Sequence, residues 1–188
     1  MIPCRDPDAE TGHNDDFGVM PAEITDEQLL AHVPEWHFAA YRARYPSASE
    51  PLAAGQTLLV EAADTVTSAP ELVRLTLNLA MTHTDATRSV YGKRLVYGGH
   101  TIAIASKQLA MGLPHILQIL AWYRCDHVGP VFEGDVLSSQ ITIKETQKVQ
   151  DATVAKLAVE VFAKRGPEAP SDLPDAKVLD WSLAVLLP

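Results

Sequence analysis

Cysteine is nearly absent from this chain: Cys4 and Cys125 are the only two in 188 residues, too few for a disulfide framework. No apolar run approaches the ~18 residues that a membrane-spanning helix needs. The opening MIPCRDPDAE lacks the apolar core of a secretory signal. Basic residues are scarce as well. Fifteen Lys and Arg stand against 24 Asp and Glu, a formal charge of -9, and none of the cations gathers into a stripe. That balance argues against nucleic acid or an anionic membrane as the main partner. There is no internal repeat and no low-complexity segment. Together these absences predict a soluble protein of the reducing cytoplasm. What is present is 47% hydrophobic content, enough for one domain with a proper core and too little length for two.

Residues 1 to about 20 are acidic and aperiodic, and are expected to form a flexible tail. A helical extension follows over 21–50. Thr25 with Gln28 reads as a capping box ahead of Leu29, Leu30 and Val33, Pro34 breaks the helix, and Trp36 to Tyr45 forms a second amphipathic piece. This extension is either a cap packed on the domain or a substrate lid. The domain proper, 51–188, opens with a strand in GQTLLVEAADTV from Gly55. Ser68 as N-cap, Pro70 and Glu71 then predict a helix from about Ala69 to Ala80, with Leu72, Leu75 and Leu79 on one face. After a loop carrying Tyr91 and Gly92 comes the apolar helix of RLVYGGHTIAIASKQLAMGLP. It is interrupted only by Ser106, Lys107 and Gln108 and ended by Gly112 and Pro114.

Beyond Pro114 the period changes to that of strands: LQILAWYRC, VLSSQITIKE, ATVAKLAVEVFA and AKVLDWSLAVLL, with a Gly-Pro-rich loop over 166–174. Ala155, Leu157, Val159, Val161 and Ala163 share one face. Leu179, Trp181, Leu183, Val185 and Leu187 share another. One strand and two helices before four strands predict an α+β domain in which an antiparallel sheet curls around one long helix.

The start of that helix is its chemical end. Gly98 and Gly99 put no side chain between the backbone and a ligand, and the first amides of a helix have no partner inside it. Such a turn can donate to a carbonyl or an anion. Thr101 reads as the N-cap.

Three segments, NLAMTHTD (Asn78 to Asp85), RLVYGGHTIAIA (Arg94 to Ala105) and GPVFEGDVL (Gly129 to Leu137), occur in the order found in the MaoC-like dehydratases and R-specific enoyl-CoA hydratases, which this chain resembles from Gly55 onward. The nearest wording is that of the acyl dehydratases with doubled hotdogs. The resemblance implies a single hotdog domain here, acting on acyl thioesters with no metal or redox cofactor, and pairing with itself or with a related hotdog subunit. It puts the family's histidine on His83 and the aspartate two residues later on Asp85. The family's catalytic aspartate falls on Asn78, and its Asn-Pro becomes Ala80-Met81. An amide can orient a water but cannot take its proton, so the usual pair is incomplete.

Adding water to a 2-enoyl thioester needs a base for the water, an acid for the α-carbon, and donors for the oxygen that gains charge. His83 suits the base, and the amides of Gly98, Gly99 or His100 suit the donors. Either Asp85 fills in as second proton carrier, or Asn78 holds the water while His83 handles both transfers. His100 binds substrate or caps the helix; Tyr97, Thr101 and Tyr91 line the pocket or pack; Asp135 fixes a turn. Cys125, Asp126 and His127 lack a spaced second cluster, so no metal is expected. Two other functions stay open: a non-catalytic thioester-binding subunit whose partner supplies the catalytic pair, and thioester hydrolysis.

Overall fold

The computed structural model describes residues 24–78 and 80–188. The expected tail over residues 1 to 20, Cys4, and the face occupied by Leu79 lie outside the described residues. Among the described residues, four α-helices and six strands follow one another as α1 (Asp26–Leu30), α2 (Phe38–Arg44), β1 (Thr57–Leu59), β2 (Asp64–Thr65), α3 (Ala69–Leu75), α4 (Gly98–Gly112), β3 (Gln118–His127), β4 (Val136–Val149), β5 (Ala152–Lys164) and β6 (Ala176–Leu187). The sheet is antiparallel in the order β1-β4-β5-β6-β3, with β2 also on β4. This is a single hotdog, with α4 against one face of the sheet.

The alternating residues of the long strands supply the core. Leu157, Val159 and Val161 on β5 and Leu179, Trp181, Leu183 and Val185 on β6 are fully buried and meet Ala105, Leu109 and Leu113 of the α4 segment. Apolar area removed from water in this seam is the main force holding helix to sheet. Within α4 the buried residues are Thr101, Ala105, Gln108 and Leu109, one stripe at helical spacing. Ala103, Ala110 and Met111 face outward, so the helix is less enclosed than its apolar composition suggests. Small alanines count as apolar while demanding little cover. The polar interruption is accounted for by a strut: Gln108 Nε2 donates to Asp64 Oδ2 at 2.8 Å and to the Leu137 carbonyl at 2.9 Å, and Lys107 pairs with Asp64. The Lys107 hydrogen bond, followed by that from Gln108, draws the Asp64 carboxyl below its ordinary range.

The extension covers the opposite face of the sheet. Leu29 and Phe38 are buried against Ala152, Val154, Ala184 and Leu186. The Thr25 capping box forms with both of its hydrogen bonds. His115 fastens the far side, with Tyr41 Oη 3.2 Å from Nδ1 and Ser47 Oγ 2.9 Å from Nε2. These helices are a cap on the domain. They border an open groove of about 730 Å³ at the C-terminal end of α4, lined by Arg42, Leu52, Leu58, His115 and Lys148 among others.

Three local expectations are corrected. The first strand is split into β1 and β2, with residues 60–63 between them. Thr101 is not an N-cap: α4 starts at Gly98 with Tyr97 in that position, so Thr101 lies inside the helix, 1% exposed. Helix α3 ends at Leu75 instead of Ala80, and Ser68 precedes it in a left-handed conformation with no side-chain cap. Its buried residues are Ala69 and Val73, whereas Leu75 is 81% exposed. A Schellman motif terminates it: Asn78 N–H donates to Val73 O and Leu77 N–H to Arg74 O, with Leu77 left-handed at φ 53°. Glycine usually fills that position, and leucine gives no sequence signal for it. No helix among the described residues is long and apolar enough to cross a membrane.

Candidate active site

The chain from α3 to α4 is a strap of short turns, each closed by its own polar groups. Asn78 Oδ1 accepts from the Ala80 amide at 2.9 Å. A 3-10 turn over Met81–His83 follows, and the Asp85 side chain caps a second one over Ala86–Arg88. The Asp85 carboxylate accepts from the Thr87 hydroxyl at 2.7 Å and the Thr87 amide at 2.9 Å. Those two bonds, the hydroxyl's first, lower its pKa, which keeps it an acceptor and makes it a poor proton donor.

Two main-chain contacts bring the strap to the start of α4. Leu95 N–H donates to Thr82 O at 3.0 Å, and Val96 N–H donates to Val131 O at 2.9 Å. In the same place His83 Nδ1 lies 2.9 Å from Leu95 O. A carbonyl can only accept, so Nδ1 carries the proton and the lone pair of the neutral ring sits on Nε2. The contact therefore assigns the basic lone pair to Nε2.

The His83 ring meets the Tyr97 ring edge to face, with centroids 6.0 Å apart. Tyr97 in turn covers the side-chain position of Gly99. A Cβ there would lie 2.5 Å from Tyr97 Cε1 and 2.7 Å from its hydroxyl oxygen. The corresponding position on Gly98 is filled by His127, whose Nε2 would lie 2.5 Å from a Cβ. The Gly-Gly pair is thus required by two rings packed on its flank. Its free amides point along the helix axis. His100 N–H turns back to Tyr97 O at 2.8 Å, whereas no hydrogen bond among the described residues takes the amides of Gly98 and Gly99. The helix terminus presents two unpaired donors and its partial positive charge.

Among the expected site residues, the fold gathers His83, Tyr97, Gly98 and Gly99 into one line. It does not link Asn78 or Asp85 to the His83 ring by any hydrogen bond among the described residues. His100 Nδ1 is buried without a partner, and burial lowers the ring's pKa against a smaller opposing effect from Glu133. Tyr91 packs edge on to buried Phe132 at 5.5 Å, as a packing aromatic does. Asp135 is wholly buried, accepting from Phe132 N–H, Arg165 Nη1 and Gly166 N–H. His127 was weighed in the sequence only as part of a metal cluster with Cys125 and Asp126, and not as a residue of this site. Its place at a strand end was visible, but the approach of the end of β3 to the start of α4 was not.

The proteins to which this chain is similar include the following three. A mesaconyl-CoA hydratase of Cereibacter sphaeroides is 34% identical over 96 residues, 50% of this chain and 28% of its own length. A beta-methylmalyl-CoA dehydratase of Chloroflexus aurantiacus is 30% identical over 107 residues, 52% of this chain and 30% of its own. A solved Mycobacterium tuberculosis protein with a double hotdog fold superposes with a TM-score of 0.70 at 39% identity, over 96% of this chain and 54% of that one. The matches thus span less than a third of the two curated relatives and about half of the double hotdog. No family model matches the chain.

Proposed function

We propose that this hotdog-fold relative of the MaoC-like dehydratases adds or removes water at the 2,3 position of an acyl thioester carried by CoA or a carrier protein. The observation that carries this reading is the His83 Nδ1 contact with Leu95 O, which leaves Nε2 as a free base on a ring packed against Tyr97, the residue that precedes the unpaired amides of Gly98 and Gly99. In the hydration direction, Nε2 takes a proton from water as its oxygen attacks C3. The carbonyl oxygen gains charge and is held by the helix amides until His83 returns that proton to C2. The reaction calls for no metal or redox cofactor. The two curated relatives, a CoA hydratase and a CoA dehydratase, support the same reaction class. Its place is the cytoplasm. The direct test is hydration of 2-butenoyl-CoA by the purified chain, followed by loss of the enoyl absorbance; no turnover would end the reading.

A second reading has its own observation. Asn78 and Asp85 are both committed to their own backbone, so the strap offers His83 alone as a titratable group facing the helix. On that basis the chain binds the thioester and a partner completes the catalytic pair. Asn78→Asp separates the two. Either oxygen of a carboxylate can keep the Ala80 contact, so the turn survives and the second oxygen is available. The variant is expected to raise kcat, and an unchanged kcat would show that proton traffic runs elsewhere.

The partner we propose is a second hotdog unit, from a further copy or a related chain. Strand β3 pairs with β6 on one side only and is an edge among the described strands. Ile119 and Trp122 on β3 are exposed apolar side chains, as are Leu77, Met81 and Val90 on the strap. An unpaired edge with apolar neighbours is a template for association. At micromolar concentration the protein is expected to sediment as a dimer or larger, and a monomer would remove this proposal.

A further inference from the structure

His127 ends the edge strand β3, paired in register with Leu179 of β6. Its place is pinned from behind, since Val128 N–H donates to Val178 O at 3.0 Å and a Cβ on Gly129 would lie 3.0 Å from Lys177 O. The ring lies on the first residue of α4 with a definite orientation. Measured from a Cβ built on Gly98, Nε2 is at 2.5 Å, Cε1 at 2.8 Å and Cδ2 at 3.1 Å, so the ring lays its face over that position with Nε2 as its nearest atom. The neighbouring charges are engaged with one another: Arg124 pairs with Asp126 and reaches Asp180 at 3.7 Å. Neither ring nitrogen of His127 makes a hydrogen bond among the described residues, and the amides of Gly98 and Gly99 are likewise unpaired. Nε2 thus lies close to the helix terminus, where neither it nor the two amides has a partner among the described residues.

We propose that His127 donates from Nε2–H to the carbonyl oxygen of the bound thioester, as a side-chain member of the oxyanion seat formed by the Gly98 and Gly99 amides. This rests on the hydration reading above. His127 transfers no proton in this role. It stays neutral and stabilises charge that develops on the oxygen while His83 handles the water. Two physical effects keep it neutral at pH 7. Partial desolvation of this otherwise exposed residue draws the imidazole below the ordinary histidine range against the pull of Asp126, and the positive end of a helix disfavours a second cation. The side chain also supplies what the altered strap does not, a second functional group facing the helix turn in a chain whose Asn78 cannot move a proton.

The test compares wild type, His127→Phe and His127→Gln, each checked for folding by circular dichroism. Two quantities are read: kcat for 2-butenoyl-CoA hydration and the carbonyl stretching frequency of bound butanoyl-CoA, which cannot react. Phenylalanine fills the space on Gly98 without a donor, whereas glutamine keeps an N–H of similar reach. The expected result is a ~10²–10³-fold fall in kcat for His127→Phe, the loss typical of one oxyanion donor. Its carbonyl band should return toward the free value, and His127→Gln should recover part of both. An unchanged kcat and band in His127→Phe would overturn the proposal. So would a glutamine variant as impaired as the phenylalanine one, because that result assigns proton transfer instead of donation. A band that responds to His127 in a wild type that binds but does not turn over would sink the hydration reading and uphold the donor. Binding and turnover both absent from wild type would end the two together.

Discussion

His83→Ala is expected to lower kcat for 2-enoyl-CoA hydration by ~10²–10⁴-fold, the range that a positioned acid or base contributes. KM should change far less, because the thioester is held by the helix turn and not by the imidazole. The fold should survive. His83 is only half buried, and what it gives the structure is one hydrogen bond to Leu95 O and one edge contact with Tyr97. Steady-state kinetics and a thermal melt on the same sample check both halves. A kcat within a factor of a few of wild type, with the fold intact, would remove His83 from the chemistry and assign proton transfer to another group. His83→Gln refines the result: its amide can still donate to Leu95 O but offers no base, so it should be as slow as alanine.

Asp135→Ala is expected to destabilise the protein by about 3–5 kcal/mol, the range for breaking a buried charge pair by removing one partner. Asp135 is 0% exposed and Arg165 is 9% exposed in its side chain, their contact being 2.8 Å. The same carboxylate accepts from Gly166 N–H at 2.8 Å and Phe132 N–H at 3.0 Å. Its loss therefore strands a guanidinium and two amides together. Around it the packing leaves no room for adjustment, since a Cβ on Gly166 would lie 2.1 Å from Gly134 O. Urea unfolding should show a lower midpoint with an unchanged slope. The double variant Asp135→Ala, Arg165→Met should cost less than the sum of the two single changes, because it no longer buries an unpaired cation. Additive losses would show that the ion pair is not what holds the turn.

The elements that were legible in the sequence are those whose period is carried by large side chains. Leu157, Val159 and Val161 on β5, and Leu179, Trp181 and Leu183 on β6, announce both strands and the faces they bury, and all six are fully enclosed. The start of α4 at a Gly-Gly pair was equally plain, as was a histidine on the strap. Helix α3 was misread because its end is set by main-chain bonds from Leu77 and Asn78, which any residue able to adopt a positive φ can make. Thr101 looked like a cap from its chemistry alone, but the cap position went to Tyr97, whose ring was needed over Gly99. The expectation for the glycines was half of the story. Openness toward a ligand was the reason given, whereas their side-chain positions are occupied by Tyr97 and His127. Asp135 was recognised as a turn residue, yet Arg165, thirty positions away, gave no sign that it was the partner. Contacts between distant loop residues leave no period to read.

The imidazole at position 83 is steered by a carbonyl that every amino acid possesses. Residue 95 can therefore change its side chain freely, within what packing there allows, and still fix which nitrogen holds the proton. Proline alone would be disruptive for a backbone reason, since it has no N–H for the Thr82 carbonyl 3.0 Å away. A survey that seeks reactive groups by looking for tolerance or intolerance to replacement would pass over this position, although the acid–base character of its neighbour depends on it.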